Sequence, residues 1–392
     1  MSGLGFPLQS PFRFVNYIPV RTTHSHRSIS TTNRTERQPF QHTPLPTHTP
    51  LAQTRKLKKI VWRMSIARPI LTSLPKLPSP ELWPSIYKAS RARGQLRVSV
   101  MTEDVANMAA KKIEIGNHPN RSIIELFAGP GQLTRSMALA GAKKVITVEN
   151  GETYQSSLKT LLESSEGRIE NFSMNPFTDP FEELLHKGAI PGLKPQPWDN
   201  IHTDVMVVGC LPNSTMGEKV LVDLLTASID RMGIFGLGRV EMYMFCFKDA
   251  AKRILAAPGT PARNRVSLTA EAAAEITSLM RPAAHNFYLP YEYELLRIVP
   301  HEKPKLLTSM EVMDFCLRSL FTSKSHSLSK VIKLLGPGAD ILLGRLSFDH
   351  DIKIKHMTLD QLNEVALKFD QWPLRPTVLY DDMIMHESKR KR

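Results

Sequence analysis

A glycine-rich turn joins two segments of different hydrophobic periodicity. Residues 122–127 read Ser-Ile-Ile-Glu-Leu-Phe and predict a buried strand, and the residues after Gly131 predict a helix. Between them lies Ala-Gly129-Pro-Gly131, whose glycines allow a ligand to approach the backbone at a helix N-terminus. Glu149, eighteen residues after Gly131, ends the next predicted strand, where a carboxylate can accept hydrogen bonds from both hydroxyls of a ribose. The spacing predicts a site for a nucleoside-containing ligand.

Three interpretations of this turn remain open. A dinucleotide site requires G-x-G-x-x-G, which the sequence lacks because Phe127 and Ala128 precede Gly129. The pattern favours S-adenosylmethionine (SAM), the cofactor of SAM-dependent methyltransferases. A tight turn beside a solvated Glu149 would need no ligand. Asn175 is a further candidate, either as a contact for the adenine amino group or as part of an Asn-Pro turn.

Strands and helices alternate along the middle of the chain. Further strands are predicted at residues 144–149, 204–209 and 240–247, with helices between them. This alternation predicts an α/β fold with a doubly wound parallel sheet, to which residues 294–299 add an edge strand. Together with the SAM-type turn, the predicted fold class is a Rossmann-like, SAM-dependent methyltransferase fold.

The pattern after Pro300 is mainly helical. Thr358 and Gln361 form a capping box in front of an apolar helix face. We therefore predict a small C-terminal helical domain. The predicted domains are an N-terminal presequence or disordered segment at 1–80, the α/β domain at 81–303, the helical domain at 304–380 and a basic tail at 381–392.

The net charge of +14 is concentrated at the two ends of the chain. Residues 1–80 contain twelve basic side chains and one acid, and Lys389–Arg392 add four positive charges, which leaves residues 81–388 at −1. A basic, proline-rich and Ser/Thr-rich segment cannot bury enough apolar surface to fold alone. Its composition is typical of a mitochondrial transit peptide, and the alternative is a basic tail in a cytosolic or nuclear protein.

Several classes of protein are excluded by simple counts. The three cysteines lie far apart without a CxxC motif, which argues against a disulfide framework and against a metal site. The sequence contains no stretch of about 18 apolar residues, so we predict no membrane insertion.

The segment after the fourth strand, Gly209-Cys-Leu-Pro-Asn213, falls where methyltransferases that modify amines place their acceptor residues. There an Asn carboxamide and a backbone carbonyl accept hydrogen bonds from the nucleobase amine and orient its lone pair. An aromatic ring then stacks on the flipped base. The candidate positions in this chain are Cys210, Pro212 and Asn213.

These motifs together resemble the rRNA adenine dimethyltransferase family, including its mitochondrial transcription factor B branch. The resemblance covers about residues 95–377. Residues 125–134 are similar to the family's E-x-G-P-G-x-G-x-L-T loop, Glu149 matches its ribose-binding acid, and residues 209–213 fall on its G-N-L-P-Y motif. The resemblance implies that Gly129, Gly131, Glu149, Asn175 and Cys210 contact SAM.

The departures from the family pattern predict a loss of catalysis. Cys210 stands at the position of the catalytic Asn, and a thiol is a weak acceptor of hydrogen bonds. Asn213 replaces the stacking Tyr, and Phe127 replaces the first loop glycine. The family's Gln-Asn-Phe-Leu stretch reads Arg97-Val-Ser-Val100. We therefore expect adenine dimethylation to be lost or much weakened. SAM is a possible cofactor, and its loss is compatible with these departures.

Among family members, fungal-type mitochondrial transcription initiation factors fit these departures. That resemblance implies a mitochondrial matrix protein that assists the mitochondrial RNA polymerase in promoter recognition and melting, with promoter DNA or small-subunit rRNA as nucleic-acid partner. The alternatives are an active mitochondrial rRNA adenine N6-dimethyltransferase that uses SAM and a non-catalytic RNA-binding assembly factor. Nucleic-acid contact is predicted at two basic clusters, Lys88, Arg91, Arg93 and Arg97 and Lys324, Lys330 and Lys333.

Overall fold

The computed structural model describes residues 71–87, 96–178 and 181–379. The strands are β1 Ser99–Val100, β2 Ser122–Leu126, β3 Lys144–Val148, β4 Ile169–Phe172, β5 Val205–Cys210, β6 Met242–Phe247, β7 Ala274–Met280, β8 Phe287–Tyr288 and β9 Tyr293–Pro300. The α-helices are α1 Trp83–Ile86, α2 Glu103–Lys112, α3 Gln132–Leu139, α4 Glu152–Glu163, α5 Phe181–His186, α6 Thr215–Asp230, α7 Lys248–Ile254, α8 Arg265–Ala273, α9 Met310–Phe321, α10 Leu328–Val331 and α11 Leu359–Asp370.

Seven strands form one mixed sheet in the order β4-β3-β2-β5-β6-β9-β7. The first five in this order pair in parallel, whereas β9 runs antiparallel to both β6 and β7. Apolar residues on both faces of β5 and β6 are buried under helices, as a central parallel strand requires. This arrangement confirms the predicted Rossmann-like α/β fold.

The chain reverses its direction of growth across the sheet between β2 and β5. From β2 it proceeds outward through β3 to β4, and then returns to the other side of β2 as β5. The carboxyl ends of β2 and β5 lie side by side, because Leu126 pairs with Gly209. A crevice at such a switch point is the usual ligand site of a doubly wound sheet. Both motifs of interest therefore meet at this edge.

An N-terminal segment packs against the sheet domain ahead of its first strand. Leu71 and Leu74 are buried, so packed residues lie on the N-terminal side of the predicted boundary at 80/81. Trp83 and Tyr87 are fully buried beside α4. Most of the predicted presequence and the basic tail at 381–392 lie outside the described residues.

The C-terminal region is helical and shares an apolar core with the α/β domain. Leu268 and Ala272 of α8 pack in the same cluster as α9 and α11. The capping box predicted at Thr358 and Gln361 is present at the start of α11. The boundary between residues 303 and 304 stays a prediction, because side chains from both sides of it contribute to one core.

Four strands were not predicted: the two-residue strands β1 and β8, and β4 and β7 of the main sheet. β4 reads Ile-Glu-Asn-Phe at the sheet edge, where polar residues weaken the apolar signal. β7 follows α8 without an intervening turn, so no breaker marks its start. Within the described part of the chain, no helix is both long and apolar enough to cross a bilayer.

Candidate functional site

Glu149 lies directly after β3 and is completely buried at the bottom of the crevice. Its two carboxylate oxygens accept hydrogen bonds from the backbone N–H of Gly129 at 2.9 Å and of Gly151 at 2.8 Å. Its backbone carbonyl accepts from Gln155 at 3.0 Å. The predicted ribose-binding acid is therefore held rigidly beside the glycine-rich turn.

Arg97 is the main partner of Glu149. Its guanidinium forms a bidentate ion pair, with Nη1 3.2 Å from one carboxylate oxygen and Nη2 donating to the other. The same group lies 4.8 Å from the ring centroid of Phe127 and 5.8 Å from that of Tyr154. Only 10% of the Arg97 side chain is exposed. The prediction that Arg97 belongs to a surface basic cluster is wrong, because its charge is neutralised inside the crevice.

The two glycines of the turn allow side chains of β1 and α4 to pack closely against the backbone. Gly129 and Gly131 have positive φ angles of 59° and 96°. A Cβ at Gly129 would overlap the Oγ of Ser99, and a Cβ at Gly131 would lie 2.7 Å from Leu161 and 3.0 Å from Leu158. A side chain at either glycine would therefore collide with β1 or with α4.

Phe127 occupies the position of the family's first loop glycine and retains the left-handed backbone conformation, with φ of 60°. Such a φ is strained for a residue with a bulky side chain. Its ring is buried and packs edge-to-face on Phe177 at 5.0 Å between centroids. Packing between these rings and the guanidinium of Arg97 compensates for the backbone strain and closes this side of the crevice.

Glu125 is a second buried carboxyl group below the turn. It accepts a hydrogen bond of 2.6 Å from the Thr134 hydroxyl. Burial raises the pKa of Glu125 to about 8, which outweighs the opposing effect of this hydrogen bond. Near neutral pH the group is therefore mainly protonated, and it links β2 to the first turn of α3.

Cys210 ends β5 on the other side of the crevice and is buried, with 4% exposure. Burial raises the pKa of the thiol to about 12, and the nearby charge of Arg97 only partly opposes this effect. The thiol is therefore protonated and is neither a nucleophile nor a strong acceptor at neutral pH. Cys210 occupies the acceptor position without its chemistry.

Pro212 and Asn213 form the turn into α6. The backbone N–H of Asn213 donates to the carbonyl of Leu96 at 3.0 Å, which ties this turn to the segment that carries Arg97. The carbonyl of Leu211 accepts from the Tyr293 hydroxyl at 2.7 Å. This carbonyl therefore already has a donor within the protein.

A cavity of about 190 Å³ lies behind this turn. It is lined by Leu211–Thr215, Gly217, Glu218 and Leu221, and by Cys246, Phe247, Asp249, Ala250 and Arg253. Glu218 and Arg253 form a bidentate ion pair on its wall, with hydrogen bonds of 2.9 and 2.5 Å. The acceptor side of the crevice thus retains open space, whereas the turn after β2 is filled.

The remaining candidates contribute little to the crevice. Asn175 is exposed, and its side-chain oxygen accepts from the backbone N–H of Phe177 at 3.1 Å, so the turn interpretation holds. Lys324 donates to the carbonyls of Pro261 and Arg263, whereas Lys330 and Lys333 are exposed. Lys88, Arg91 and Arg93 lie outside the described residues.

The residue types around the turn suit SAM, but their arrangement does not. Gly129, Gly131 and Glu149 are present as the resemblance requires. However, both carboxylate oxygens of Glu149 are engaged by Arg97 and by backbone N–H groups, and the turn is covered by Ser99. In this structure Arg97 thus occupies the hydrogen-bonding positions at Glu149 that a ribose would use. Among the described residues, no group of His, Cys, Asp and Glu side chains could hold a metal ion.

Sequence reasoning missed the roles of Arg97 and Tyr154. Both positions carried a usable signal. Arg97 stands where the family has a neutral Gln, and Tyr154 follows Glu149 by five residues on the next helix. A cation and an aromatic ring near a buried acid are a frequent combination in proteins.

Comparisons with known proteins agree with the fold and the motifs. The family model for ribosomal RNA adenine dimethylase matches residues 100–371. The mitochondrial dimethyladenosine transferase 1 of Vermamoeba vermiformis is 25% identical over 295 residues, which cover 67% of this chain and 85% of the relative. The Xenopus tropicalis protein of the same name is 26% identical over 224 residues, covering 57% of this chain and 63% of the relative. The matched region thus spans less than two thirds of that relative's length.

A solved structure supports the fold alone. The dimethyladenosine transferase from Plasmodium falciparum superposes with a TM-score of 0.50 at 17% identity, covering 68% of this chain and 97% of the solved one. The family model extends over more than half of the chain, from β1 into the residue after α11. This chain therefore belongs to the ribosomal RNA adenine dimethylase family.

Proposed function

We propose that this chain is a mitochondrial transcription initiation factor that uses the dimethylase fold to assist the mitochondrial RNA polymerase in promoter recognition and melting. The observation that carries the proposal is the acceptor turn, where Cys210 and Asn213 replace the orienting amide and the stacking ring. The buried thiol cannot orient an amine, and the carbonyl of Leu211 already accepts from Tyr293. A fold kept without these groups serves binding better than methyl transfer.

The surface beside the acceptor turn suits unpaired nucleic acid. Met216 and Tyr291 are 41% and 38% exposed there. A base without a partner can stack on the Tyr291 ring, and the apolar Met216 side chain can contact it. A neighbouring groove of about 820 Å³ contains Lys248, Lys252 and Arg281. Two acids also line this groove, and they pair with two of its cations: Glu292 with Lys248 at 2.8 Å and Glu294 with Arg281 at 2.9 Å. Lys252 is exposed. Cations next to exposed apolar groups favour binding of a melted strand.

The proposed location is the mitochondrial matrix. The first 80 residues have the composition of a transit peptide, and the relatives reported above are named as mitochondrial proteins. Import of a fusion of residues 1–80 to a fluorescent protein into isolated mitochondria tests this location. Retention of the fusion outside the organelle would contradict it.

A reconstituted transcription assay tests the function. The cognate mitochondrial RNA polymerase is supplied with a duplex promoter or with the same promoter containing a preformed bubble. We expect initiation on the duplex to require this protein and initiation on the bubble to require it much less, because the bubble removes the melting step. Specific initiation on the duplex by the polymerase alone would overturn the proposal.

A charge-reversal variant sharpens the assay. Lys252→Glu replaces an exposed cation of this groove by a negative charge. We expect duplex initiation to fall by about tenfold because phosphate contacts are lost. Lys111→Glu is the matched control, since Lys111 is exposed on α2, outside the residues that line this groove. Equal losses in the two variants would exclude the groove as the nucleic-acid contact.

The alternative, a SAM-dependent rRNA adenine N6-dimethyltransferase, rests on the family match over residues 100–371. Transfer of labelled methyl groups to a small-subunit rRNA hairpin tests it directly. We expect no transfer by the wild-type protein. The variant with Cys210→Asn and Asn213→Tyr restores both acceptor groups and shows whether they alone limit the reaction.

A further inference from the structure

We propose that Arg97 prevents SAM from binding in the crevice: its guanidinium occupies the place at Glu149 that the ribose of SAM would take. The inference is independent of the proposed role in transcription, because it concerns only the turn after β2 and the segment packed on it. Glu149, which the resemblance assigns to SAM, pairs here with Arg97 instead.

The guanidinium satisfies the same acceptors that a ribose would use. Two hydroxyls of a ribose donate to the two oxygens of a carboxylate, and Arg97 donates to the two oxygens of Glu149 through Nη1 and Nη2. The guanidinium also carries the opposite charge, whereas a ribose is neutral. Displacing Arg97 by a ribose would remove the cation that pairs with the completely buried Glu149 and leave the carboxylate with neutral donors.

Arg97 is held in place on both sides along the chain. On one side, the carbonyl of Leu96 accepts from the backbone N–H of Asn213 at 3.0 Å. On the other, Ser99 packs into the space left by Gly129 and pairs with Tyr288 in the β1–β8 ribbon. The backbone is thus anchored within two residues of Arg97 in either direction, so moving its charge out of the crevice requires more than a side-chain rotation.

The N-terminal segment adds a cover over the same crevice. Trp83 and Tyr87 form one buried cluster with Ala128 of the turn and Tyr154 of α4. The Tyr87 hydroxyl is 2.6 Å from that of Ser157. Tyr154, fixed by this cluster, is one of the two rings next to the guanidinium. The aromatic cluster therefore keeps the ion pair away from water, which strengthens it.

Two polar atoms near Glu149 are buried without a hydrogen-bond partner among the described residues: Nε of Arg97 and Oγ of Ser99. Both lie on the strand segment that fills the cleft. The segment that carries Arg97 therefore fits closely around Glu149 without pairing every polar atom of its own.

Calorimetric titration with SAM tests the assignment, using the full chain as wild type and as Arg97→Gln. This variant introduces the neutral residue found at this position in the family pattern. We expect no measurable heat with the wild type and a dissociation constant at least about tenfold lower for Arg97→Gln. S-adenosylhomocysteine serves as a second probe, because it lacks the positive sulfonium and separates charge repulsion by Arg97 from occupation of space.

Arg253→Gln is the matched control. It also breaks a bidentate pair, with Glu218, but on the wall of the acceptor cavity rather than at the glycine-rich turn. We expect it to bind SAM no better than the wild type. Thermal melting of each variant establishes that it is folded before the titration is interpreted.

Arg97→Lys keeps the assignment testable if Arg97→Gln does not fold. A lysine keeps the charge but cannot make the bidentate contact, so we expect a smaller gain in SAM binding than for Gln. The proposal is overturned if the wild type binds SAM as tightly as the variants. It is equally overturned if a folded Arg97→Gln protein, or in its place a folded Arg97→Lys protein, shows no gain.

Discussion

The two sides of the crevice have changed in opposite ways. The cofactor side keeps the residue types of its family, Gly129, Gly131 and Glu149, yet the chain's own side chains fill it. The acceptor side has lost its residue types at Cys210 and Asn213, yet a cavity of about 190 Å³ remains behind its turn. Residues of a binding motif can therefore be retained where the chain itself occupies the site, because glycines and a buried acid also contribute to packing.

The largest expected effect on this comparison comes from removing the charge of Glu149. Glu149→Gln leaves the guanidinium of Arg97 buried without a counter-charge, and we expect the free energy of unfolding to fall by about 3–5 kcal/mol. Urea denaturation measures it. Glu218→Gln breaks the partly exposed pair with Arg253 on the acceptor side and should cost about 1 kcal/mol or less. Equal losses would break the contrast between the two sides.

The next effect is the pH dependence that Glu125 imposes. Its pKa of about 8 in the folded state exceeds its ordinary value of 4.5, so the unfolded chain releases this proton at lower pH than the folded chain. Stability should therefore fall as pH rises from about 4.5 to about 8 and then level off.

Glu125→Gln isolates this contribution, because the amide is neutral in both states and its oxygen can still accept from Thr134. We expect the variant to lose the slope in denaturation curves recorded between pH 5 and 8. Cys210→Ala, on the acceptor side, should keep the slope, since the thiol pKa of about 12 lies outside this range. An unchanged slope in Glu125→Gln would show that other groups cause it.

A smaller loss is expected from Gly129→Ala. The new Cβ would overlap Ser99 Oγ in a backbone conformation with φ of 59°, and we expect a loss of about 2 kcal/mol. Adding Ser99→Gly should recover part of it by removing the overlap. Gly344→Ala, whose Cβ meets nothing within 4 Å, is the control. No recovery in the double variant would mean that the φ angle alone sets the cost.

The smallest effect is expected on the acceptor side. Asn213 contributes its backbone N–H to the contact with Leu96, and its side chain is half-buried. Asn213→Ala should therefore change the free energy of unfolding by less than about 0.5 kcal/mol. A loss above 1 kcal/mol, measured in urea, would show that the side chain had acquired a structural role.

Local sequence patterns were sufficient for the elements that form the crevice. The apolar run at 122–127, the turn glycines and Glu149 predicted a strand, a turn and an acid at the end of the next strand in the correct order. That Glu149 is buried and not solvated is seen only in the structure. The capping box at Thr358 was equally visible, because its two residues are three positions apart. Such features depend on neighbours in the chain, and the sequence records those directly.

The occupant of the crevice was decided by tertiary structure. Arg97 and Glu149 are 52 residues apart, and β1 pairs with β8 almost 190 residues further along the chain. From the sequence, Arg97 was grouped with three nearby basic residues, because a charge run does not show which side chain turns inward. The sequence by itself determined the fold and the presence of a nucleoside-type turn. Only long-range packing decided that the turn holds an arginine, since the direction of a side chain depends on residues that sequence spacing does not connect.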